Sequence, residues 1–216
     1  MLQALLFDLD GTLVETNSVH HKAWVDVLKP YGYDVTWDFY REKISGRLSP
    51  EIFSDLIPNL SPKEVRKMAG VKEASFRERS GSLEPLPGLL DLMEKSQREG
   101  IRASLVTNAP KENVLAVLRA LKLEDAFDPV ILADEVGVGK PDPAPYTAAL
   151  ASIGVYAEEA LAFEDSPSGI ASSTAAGIPT VGVASTYEPG ELRSLGADPI
   201  IYDFTDPELL ALIEGR

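Results

Sequence analysis

Six short runs of apolar residues, each followed abruptly by polar ones, constrain the fold of this 216-residue chain more than any other feature. The runs stay apolar instead of alternating with polar residues, which is typical of strands buried on both faces of a parallel sheet. They occupy residues 2–7, 102–106, 129–132, 160–163, 180–183 and 199–202. We therefore predict a six-stranded, mostly parallel sheet.

Helical patterns fill most of the intervals between these runs. Val114, Val117, Leu118 and Leu121 recur at helical spacing and form one apolar stripe, and segments 89–93 and 146–153 carry similar stripes. This alternation of strands and helices predicts an α/β fold of the doubly wound type.

Residues 15–83 interrupt the alternation, because they contain helical patterns but no convincing strand. The interruption ends in Ser80-Gly81-Ser82, followed by a proline- and glycine-rich stretch at 85–88 that is typical of a hinge. We predict a catalytic α/β core of residues 1–14 and 84–216, with an inserted all-helical cap of residues 15–83 that selects the substrate. The cap would lie above the carboxyl ends of the strands, where open α/β sheets bind ligands.

Two Ser-Pro pairs in this insert predict helix starts. Ser49 and Ser61 each precede a proline suited to the first helical turn. Ser61 is also followed by Glu64 at the spacing of a capping box.

Composition excludes several kinds of partner and site. The formal net charge of −14 argues against non-specific binding to nucleic acid or anionic membranes. The chain has no cysteine, so disulfides and thiolate metal sites are excluded. No apolar run approaches the roughly 20 residues that span a bilayer, and the first eight residues lack the basic start of a signal peptide. We expect a cytoplasmic protein; a monomer is compatible with the sequence, which leaves the oligomeric state open.

The polar residues that follow the predicted strands are the candidates for chemistry. The first strand runs into Asp8 and Asp10, which could point to one side of a strand but diverge where the chain turns at Gly11. Other strands and the loops after them supply the remaining candidates: Thr107, Asn108, Lys140, Glu164 and Asp165.

Four motifs at these positions resemble those of the haloacid dehalogenase superfamily. They are Asp-Leu-Asp-Gly-Thr-Leu at 8–13, Thr-Asn at 107–108, Gly-Lys-Pro-Asp-Pro at 139–143 and Phe-Glu-Asp-Ser-Pro-Ser-Gly at 163–169. The resemblance spans nearly the whole chain, and the four motifs in this order are far more specific than one Asp-x-Asp. It implies a Rossmann-like core with a helical cap after the first strand, as in the phosphatase and β-phosphoglucomutase-like branch.

The resemblance also implies catalytic roles. Asp8 would attack phosphorus to form an aspartyl-phosphate. Asp10 would protonate the leaving oxygen and then activate the water that hydrolyses this intermediate. Thr107 and Asn108 would hold phosphoryl oxygens, and Lys140 would offset the charge between Asp8 and the phosphoryl group.

A magnesium site follows from the same resemblance. Mg²⁺ would be bound at Asp8, by the backbone carbonyl of Asp10, and by Glu164 and Asp165, one of them through water. The chemistry needs such residues independently of any family, because a carboxylate approaching a phosphate dianion requires a hard cation and a lysine to offset like charges. Asp10 must act first as an acid, so its pKa should lie above about 3.9. Crowding by the other acids would raise this pKa and Mg²⁺ and Lys140 would lower it, and the sequence leaves the balance open.

Two cap residues are candidates for contact with the substrate. His20 matches a histidine of the β-phosphoglucomutase group, although an ordinary histidine on a helix surface is an equal alternative. Arg47, in Ser45-Gly46-Arg47, would reach the substrate from the cap, and a surface salt bridge is its alternative.

The motifs favour phosphate-ester hydrolysis among the reactions of the superfamily. Dehalogenase members usually lack an aspartate at the position of Asp10, and phosphonatases carry a small residue there. The main alternative is a sugar phosphomutase resembling β-phosphoglucomutase, in which we expect an arginine at Ser49 and a lysine at Pro110 to hold the second phosphate. Their absence favours a phosphatase, although Arg47 or Lys111 could substitute.

A non-catalytic protein that binds a phosphorylated metabolite is a third alternative, but it would require a damaged site, and every motif residue is present. We therefore predict a magnesium-dependent phosphatase that acts on a small phosphorylated metabolite, such as a sugar phosphate or phosphoglycolate.

Overall fold

A six-stranded parallel sheet forms the centre of the computed structural model, which describes residues 1–215. The strands are β1 (Ala4–Phe7), β2 (Arg102–Thr107), β3 (Val130–Leu132), β4 (Ala160–Glu164), β5 (Thr180–Val183) and β6 (Ile200–Ile201). They lie side by side in the order β3-β2-β1-β4-β5-β6, and each neighbouring pair is parallel. All six predicted strands are present with small differences at their ends, so the predicted fold class is confirmed.

Helices surround the sheet and fill the insert after β1. In chain order they are α1 (Asn17–Leu28), α2 (Trp37–Lys43), α3 (Ser49–Leu56), α4 (Pro62–Arg79), α5 (Leu89–Arg98), α6 (Lys111–Leu121), α7 (Ala133–Val136), α8 (Ala144–Ile153), α9 (Pro167–Ala175), α10 (Pro189–Ser194) and α11 (Pro207–Glu214). In the part of the chain that the structure describes, no helix is both long and apolar enough to cross a membrane.

Both faces of the sheet are buried, which explains why its strands are apolar throughout. Successive side chains of a strand point to opposite faces. Leu5 and Phe7 of β1 therefore join the core beneath α5, α6 and α11, whereas Ala4 and Leu6 join the core beneath α8. The ring of Phe7 stacks on that of Phe163 in β4, with centroids 4.8 Å apart.

The helices α1 to α4 share a hydrophobic cluster of their own, in which the rings of Trp24 and Phe53 lie 4.9 Å apart. The chain leaves the sheet near Val14 and returns near Pro85, and these two residues form an antiparallel bridge. The two connections thus lie side by side, as an insert requires. The division into a separate core and cap stays a prediction.

The two predicted helix starts in this insert have different outcomes. Ser61 forms a complete capping box with Glu64, as predicted. A helix does begin at Ser49, as predicted, but Ser49 is not its cap, because Leu48 has the extended backbone of the N-cap position. The hydroxyl of Ser49 donates instead to Glu73 of α4, at 2.5 Å.

Candidate active site

The carboxyl ends of three adjacent strands bring the predicted site residues together. Because β2, β1 and β4 are neighbours, Asp8, Thr107 and Asp165 meet at one edge of the sheet, below the insert. A cavity of about 360 Å³ lies there, lined by residues of the sheet edge and of α1, α3 and α4. Every predicted site residue lines this cavity except Glu164, which is completely buried at the end of β4.

Lys140 joins two of the acids. Its ammonium lies 2.7 Å from Asp8 Oδ1 and 2.5 Å from Glu164 Oε1, and all three side chains are buried. Burial disfavours the charged lysine, but the two carboxylates outweigh it and raise the Lys140 pKa. Lys140 therefore stays a cation beside Asp8.

Asp8, Glu164 and Asp165 form a buried cluster of carboxylates. One oxygen from each lies within 4.8 Å of the others. Burial, with repulsion from Asp8, raises the Glu164 pKa to about 7. Burial and the neighbouring acids raise the Asp165 pKa well above its ordinary value, and burial also raises that of Asp8 despite Lys140.

These three residues fit a hard divalent cation. Buried acids packed this closely repel one another when ionised, and a cation bound between them removes that cost. Glu164 Oε2 is buried and has no hydrogen-bond partner in the part of the chain that the structure describes, so it is available as a ligand. The space that it occupies exists because residue 169 is glycine: a Cβ there would lie 1.7 Å from this oxygen. All-oxygen donors of this type suit Mg²⁺.

Asp10 has other partners than Asp8, which pairs with Lys140. Asp10 Oδ1 accepts a 2.7 Å hydrogen bond from Thr16 and lies 3.2 Å from Nε2 of His20. Burial would raise the Asp10 pKa, but His20, Thr16 and Lys72 together hold it below its ordinary value. An acid needs a raised pKa, and the sequence left the balance open; in the site without a substrate, partners from the insert lower the Asp10 pKa instead.

His20 belongs to a chain of contacts that runs from Asp10 into α4. The ammonium of Lys72 lies 2.9 Å from His20 Nδ1 and 3.1 Å from Glu73 Oε1. An ammonium can only donate, so Nδ1 of His20 accepts and Nε2 carries the proton that faces Asp10. The ring of His20 also stacks on Phe76, with centroids 4.0 Å apart. His20 is thus a buried partner of Asp10 and not an ordinary surface histidine.

Thr107 and Asn108 follow β2 but have different surroundings. The Thr107 hydroxyl accepts from the N–H of Ala109 at 3.0 Å, which leaves its own proton for another acceptor. The side-chain amide of Asn108 forms two hydrogen bonds with the backbone of Lys140. Asn108 Oδ1 accepts from the Lys140 N–H at 2.9 Å, and Asn108 Nδ2 donates to the Lys140 carbonyl at 3.1 Å. Asn108 also donates to the Gly46 carbonyl at 3.3 Å, so it joins the lysine loop to the insert.

Arg47 is paired within the insert. Its guanidinium forms an ion pair with Asp55 and donates to the carbonyl of Lys43 at 3.0 Å. The alternative that the sequence left open, a salt bridge on the cap, is the arrangement in the structure, although Arg47 also lines the cavity.

Three residues near the site were not singled out from the sequence. The sequence pattern places Tyr146 only in the apolar stripe of residues 146–153. In the structure, its hydroxyl contacts Glu164. Lys72 and Glu73 were not considered, although both are buried beside His20. A clue was present, because Lys72 shares helical spacing with the buried Val65, Ala69 and Phe76 of α4.

Comparisons with known proteins agree with this geometry. The family model of haloacid dehalogenase-like hydrolases matches residues 5–183. The phosphorylated carbohydrates phosphatase of Thermotoga maritima is 33% identical over 93% of this chain and 94% of its own length. The validoxylamine A 7'-phosphate phosphatase of Streptomyces hygroscopicus is 29% identical over 95% and 96%.

A solved structure has the same architecture. The crystal structure of CbbY from Rhodobacter sphaeroides in complex with phosphate superposes with a TM-score of 0.83, at 29% identity, over 95% of this chain and 96% of that one. A mutant of that protein was solved with xylulose-(1,5)bisphosphate and gives the same score.

Proposed function

This chain belongs to the haloacid dehalogenase-like hydrolases, and we propose that it is a magnesium-dependent phosphatase that hydrolyses a small phosphorylated metabolite through an aspartyl-phosphate at Asp8. One observation carries the proposal. The buried Asp8 carboxylate is joined to Lys140 at the edge of a three-carboxylate cluster, while Asp10 lines the same cavity with its own partners.

Asp8 is the nucleophile in this proposal. A carboxylate oxygen attacks phosphorus, the bond from phosphorus to the ester oxygen breaks, and the phosphoryl group is left on Asp8. Lys140 favours the ionised form of Asp8 against the effect of burial, and it offsets the charge of the incoming phosphoryl group. Thr107 donates its free proton to a phosphoryl oxygen, whereas the Asn108 side chain mainly fixes the loop that carries Lys140.

Asp10 exchanges protons with the leaving group and with water. It protonates the departing ester oxygen, and its carboxylate then takes a proton from the water that hydrolyses the aspartyl-phosphate. His20 and Thr16 orient that carboxylate through the contacts at Oδ1. The low pKa of Asp10 applies to the site without a phosphate, and the dianion of a bound ester raises it toward the value that an acid needs.

Mg²⁺ would be held by Asp8, Asp165 and Glu164, with a further ligand from the Asp10 carbonyl. When bound, it offsets negative charge on the phosphoryl oxygens and on the acids around them. Its proposed ligands are the residues whose pKa values burial raises, so the ion also favours their ionised forms.

Hydrolysis is preferred to phosphoryl transfer between sugar positions. The two cations that the sequence suggested as substitutes for the missing arginine and lysine of a mutase are paired with carboxylates: Arg47 with Asp55, and Lys111 with Glu135 at 3.4 Å. The relatives named above as phosphatases act on phosphorylated carbohydrates and on validoxylamine A 7'-phosphate, so a small phosphorylated metabolite is the proposed substrate class. A cytoplasmic location stays a prediction.

The experiment is a measurement of inorganic phosphate release from a panel of small phosphomonoesters, with Mg²⁺ or with a chelator. Release that requires both Mg²⁺ and Asp8, tested with Asp8→Asn, supports the proposal. The control is Asp125→Asn, which changes an exposed acid in a separate pocket near the first residues of β2. A hydroxylamine-sensitive phosphoprotein should be trapped in wild type and be absent from Asp8→Asn. If wild type releases no phosphate but is phosphorylated by a sugar bisphosphate, the mutase replaces the phosphatase.

A further inference from the structure

Five basic side chains among residues 1–215 line the cavity, and four of these five have a carboxylate partner. These four are the members of the pairs His20–Asp10, Arg47–Asp55, Lys72–Glu73 and Lys140–Asp8. Arg77 is different: within residues 1–215, no carboxylate oxygen forms a salt bridge with its guanidinium. Arg77 is therefore the cavity cation whose charge the protein leaves uncompensated.

The position of Arg77 is fixed by a contact between α4 and α6. Its Nη1 donates to Asn113 Oδ1 at 2.9 Å, and the amide of Asn113 donates in turn to Glu73 Oε2 at 2.6 Å. A guanidinium has five N–H donors, so this bond holds the group in place while leaving most donors for a ligand. The side chain is partly buried, which strengthens its attraction for an anion.

Arg77 lies away from the phosphoryl site. It follows Lys72 by five residues, which places it about 7.5 Å further along the axis of α4. Lys72 is linked through His20 to Asp10, the residue that would protonate the leaving oxygen. Asp10, Lys72 and Arg77 all line the one cavity, so a leaving group bound with its ester oxygen at Asp10 shares that cavity with the Arg77 guanidinium.

We propose that Arg77 binds an anionic group, either a carboxylate or a second phosphate, carried by the leaving part of the substrate. The inference rests on the proposed function and narrows it to phosphate esters with a second negative charge. A guanidinium is suited to both groups, because its paired N–H donors match two oxygens of either.

The carboxylates near Arg77 do not neutralise the positive charge of its guanidinium. The Glu73 carboxylate is already occupied by Ser49, Lys72 and Asn113. Glu112 and Asp134 also line the cavity, but both are exposed at its rim, where solvent and salt screen their charge.

The test compares matched pairs of esters: phosphoglycolate against hydroxyethyl phosphate, and glucose 1,6-bisphosphate against glucose 6-phosphate. Wild type should prefer the more anionic member, and Arg77→Gln should lower the ratio of kcat/KM within the pair by about tenfold or more, the usual effect of a lost charged hydrogen bond. Arg77→Lys should recover part of the ratio. Arg79→Gln is the control, because Arg79 lies on the same helix, is paired with Asp26 and does not line the cavity.

The outcomes separate this inference from the proposed function. A preference for phosphoglycolate alone identifies a carboxylate, and a preference for the bisphosphate alone identifies a second phosphate. Hydrolysis with a ratio that Arg77→Gln leaves unchanged overturns the Arg77 inference and leaves the phosphatase standing. If wild type hydrolyses no ester, the proposed phosphatase activity is wrong. The role of Arg77 is then tested by calorimetry, in which the same esters bind to Asp8→Asn and to the double variant Asp8→Asn, Arg77→Gln. Equal affinities of these two proteins overturn the role of Arg77.

Discussion

The hydroxyl of Tyr146 donates a 2.6 Å hydrogen bond to Glu164 Oε1, the oxygen that Lys140 also contacts. Tyr146 is fully buried on α8, so this bond links the core beneath the sheet to the carboxylate cluster. The bond opposes burial, because it favours the ionised form of a carboxylate whose pKa is raised to about 7. Tyr146 thereby supports a proposed metal ligand without lining the cavity.

Tyr146→Phe should weaken magnesium activation. Without the hydroxyl the Glu164 pKa rises further, so a larger share of the carboxyl is protonated near neutral pH and cannot bind the ion. A lost hydrogen bond to a charged group predicts about a tenfold higher Mg²⁺ concentration for half-maximal phosphate release. Tyr202→Phe, at an exposed tyrosine, is the control, and identical activation curves for Tyr146→Phe and wild type would contradict the prediction.

The raised pKa values predict how pH affects stability. The native protein holds the Glu164 proton more tightly than the unfolded chain does, so this group's contribution to the free energy of unfolding decreases as pH rises from 4.5 to about 7. Asp8 and Asp165 are shifted in the same direction. Bound Mg²⁺ stabilises the ionised carboxylates, so its increase in Tm should be larger at about pH 8 than at about pH 5.5. Thermal unfolding with Mg²⁺ or a chelator tests this, and an equal increase at both pH values would count against the site.

Lys72→Met should shift the pH profile of hydrolysis. The charge of Lys72 helps to keep the Asp10 pKa low, and its contact with Nδ1 fixes the tautomer of His20 that donates to Asp10. Because Asp10 acts as an acid below its pKa, a raised pKa should extend the profile of kcat/KM to higher pH, while kcat falls about tenfold from poorer orientation. Lys67→Met, at an exposed lysine of the same helix, should leave the profile in place.

The sheet and the ends of its strands were predictable, because local sequence determines them. A strand buried on both faces must be apolar along its length, and residues 180–183 show this with no error at either end. Strand ends of a parallel sheet meet at one edge, so Asp8, Thr107 and Asp165 were expected to lie close together. Their proximity followed from topology alone.

The contacts between the insert and the core were not predictable in the same way. Lys72 meets His20 across 52 residues of sequence, and no local pattern reports a pairing of that length. The pKa of Asp10 is lowered by such distant residues of the insert, so its shift could not be predicted from local sequence. The hydroxyl of Ser49 likewise donates to Glu73 on another helix, a contact that no local pattern reports. Asn108 was expected to hold phosphate oxygens, but its amide is engaged by two other loops.

The carbonyl of Gly46 is where the insert touches the motif loops. It accepts hydrogen bonds from Asn108 at 3.3 Å and from Ser168 at 2.9 Å, so the loop after β2 and the first turn of α9 are both joined to it. The backbone of Gly46 has a φ of 72°, and a Cβ built there would lie 2.5 Å from Ser168 Oγ. Residue 46 therefore needs glycine both for its conformation and for this close approach.

Gly46→Ala should reduce catalysis more than it reduces stability. The positive φ costs about 1–3 kcal/mol in any non-glycine residue, and the added methyl also pushes the insert away from Ser168, which opens the cavity above Asp8. We expect kcat/KM for the best ester to fall about tenfold, the size of effect that a small misplacement of a substrate-covering segment produces. Gly32→Ala is a matched control, because Gly32 has a φ of 82° but nothing within 4 Å of its Cβ position. The Tm of Gly32→Ala should decrease by about as much as that of Gly46→Ala, while its kcat/KM should stay at the wild-type value. An equal loss of kcat/KM in the two variants would mean that strain in the insert, and not the contact at Gly46, limits the reaction.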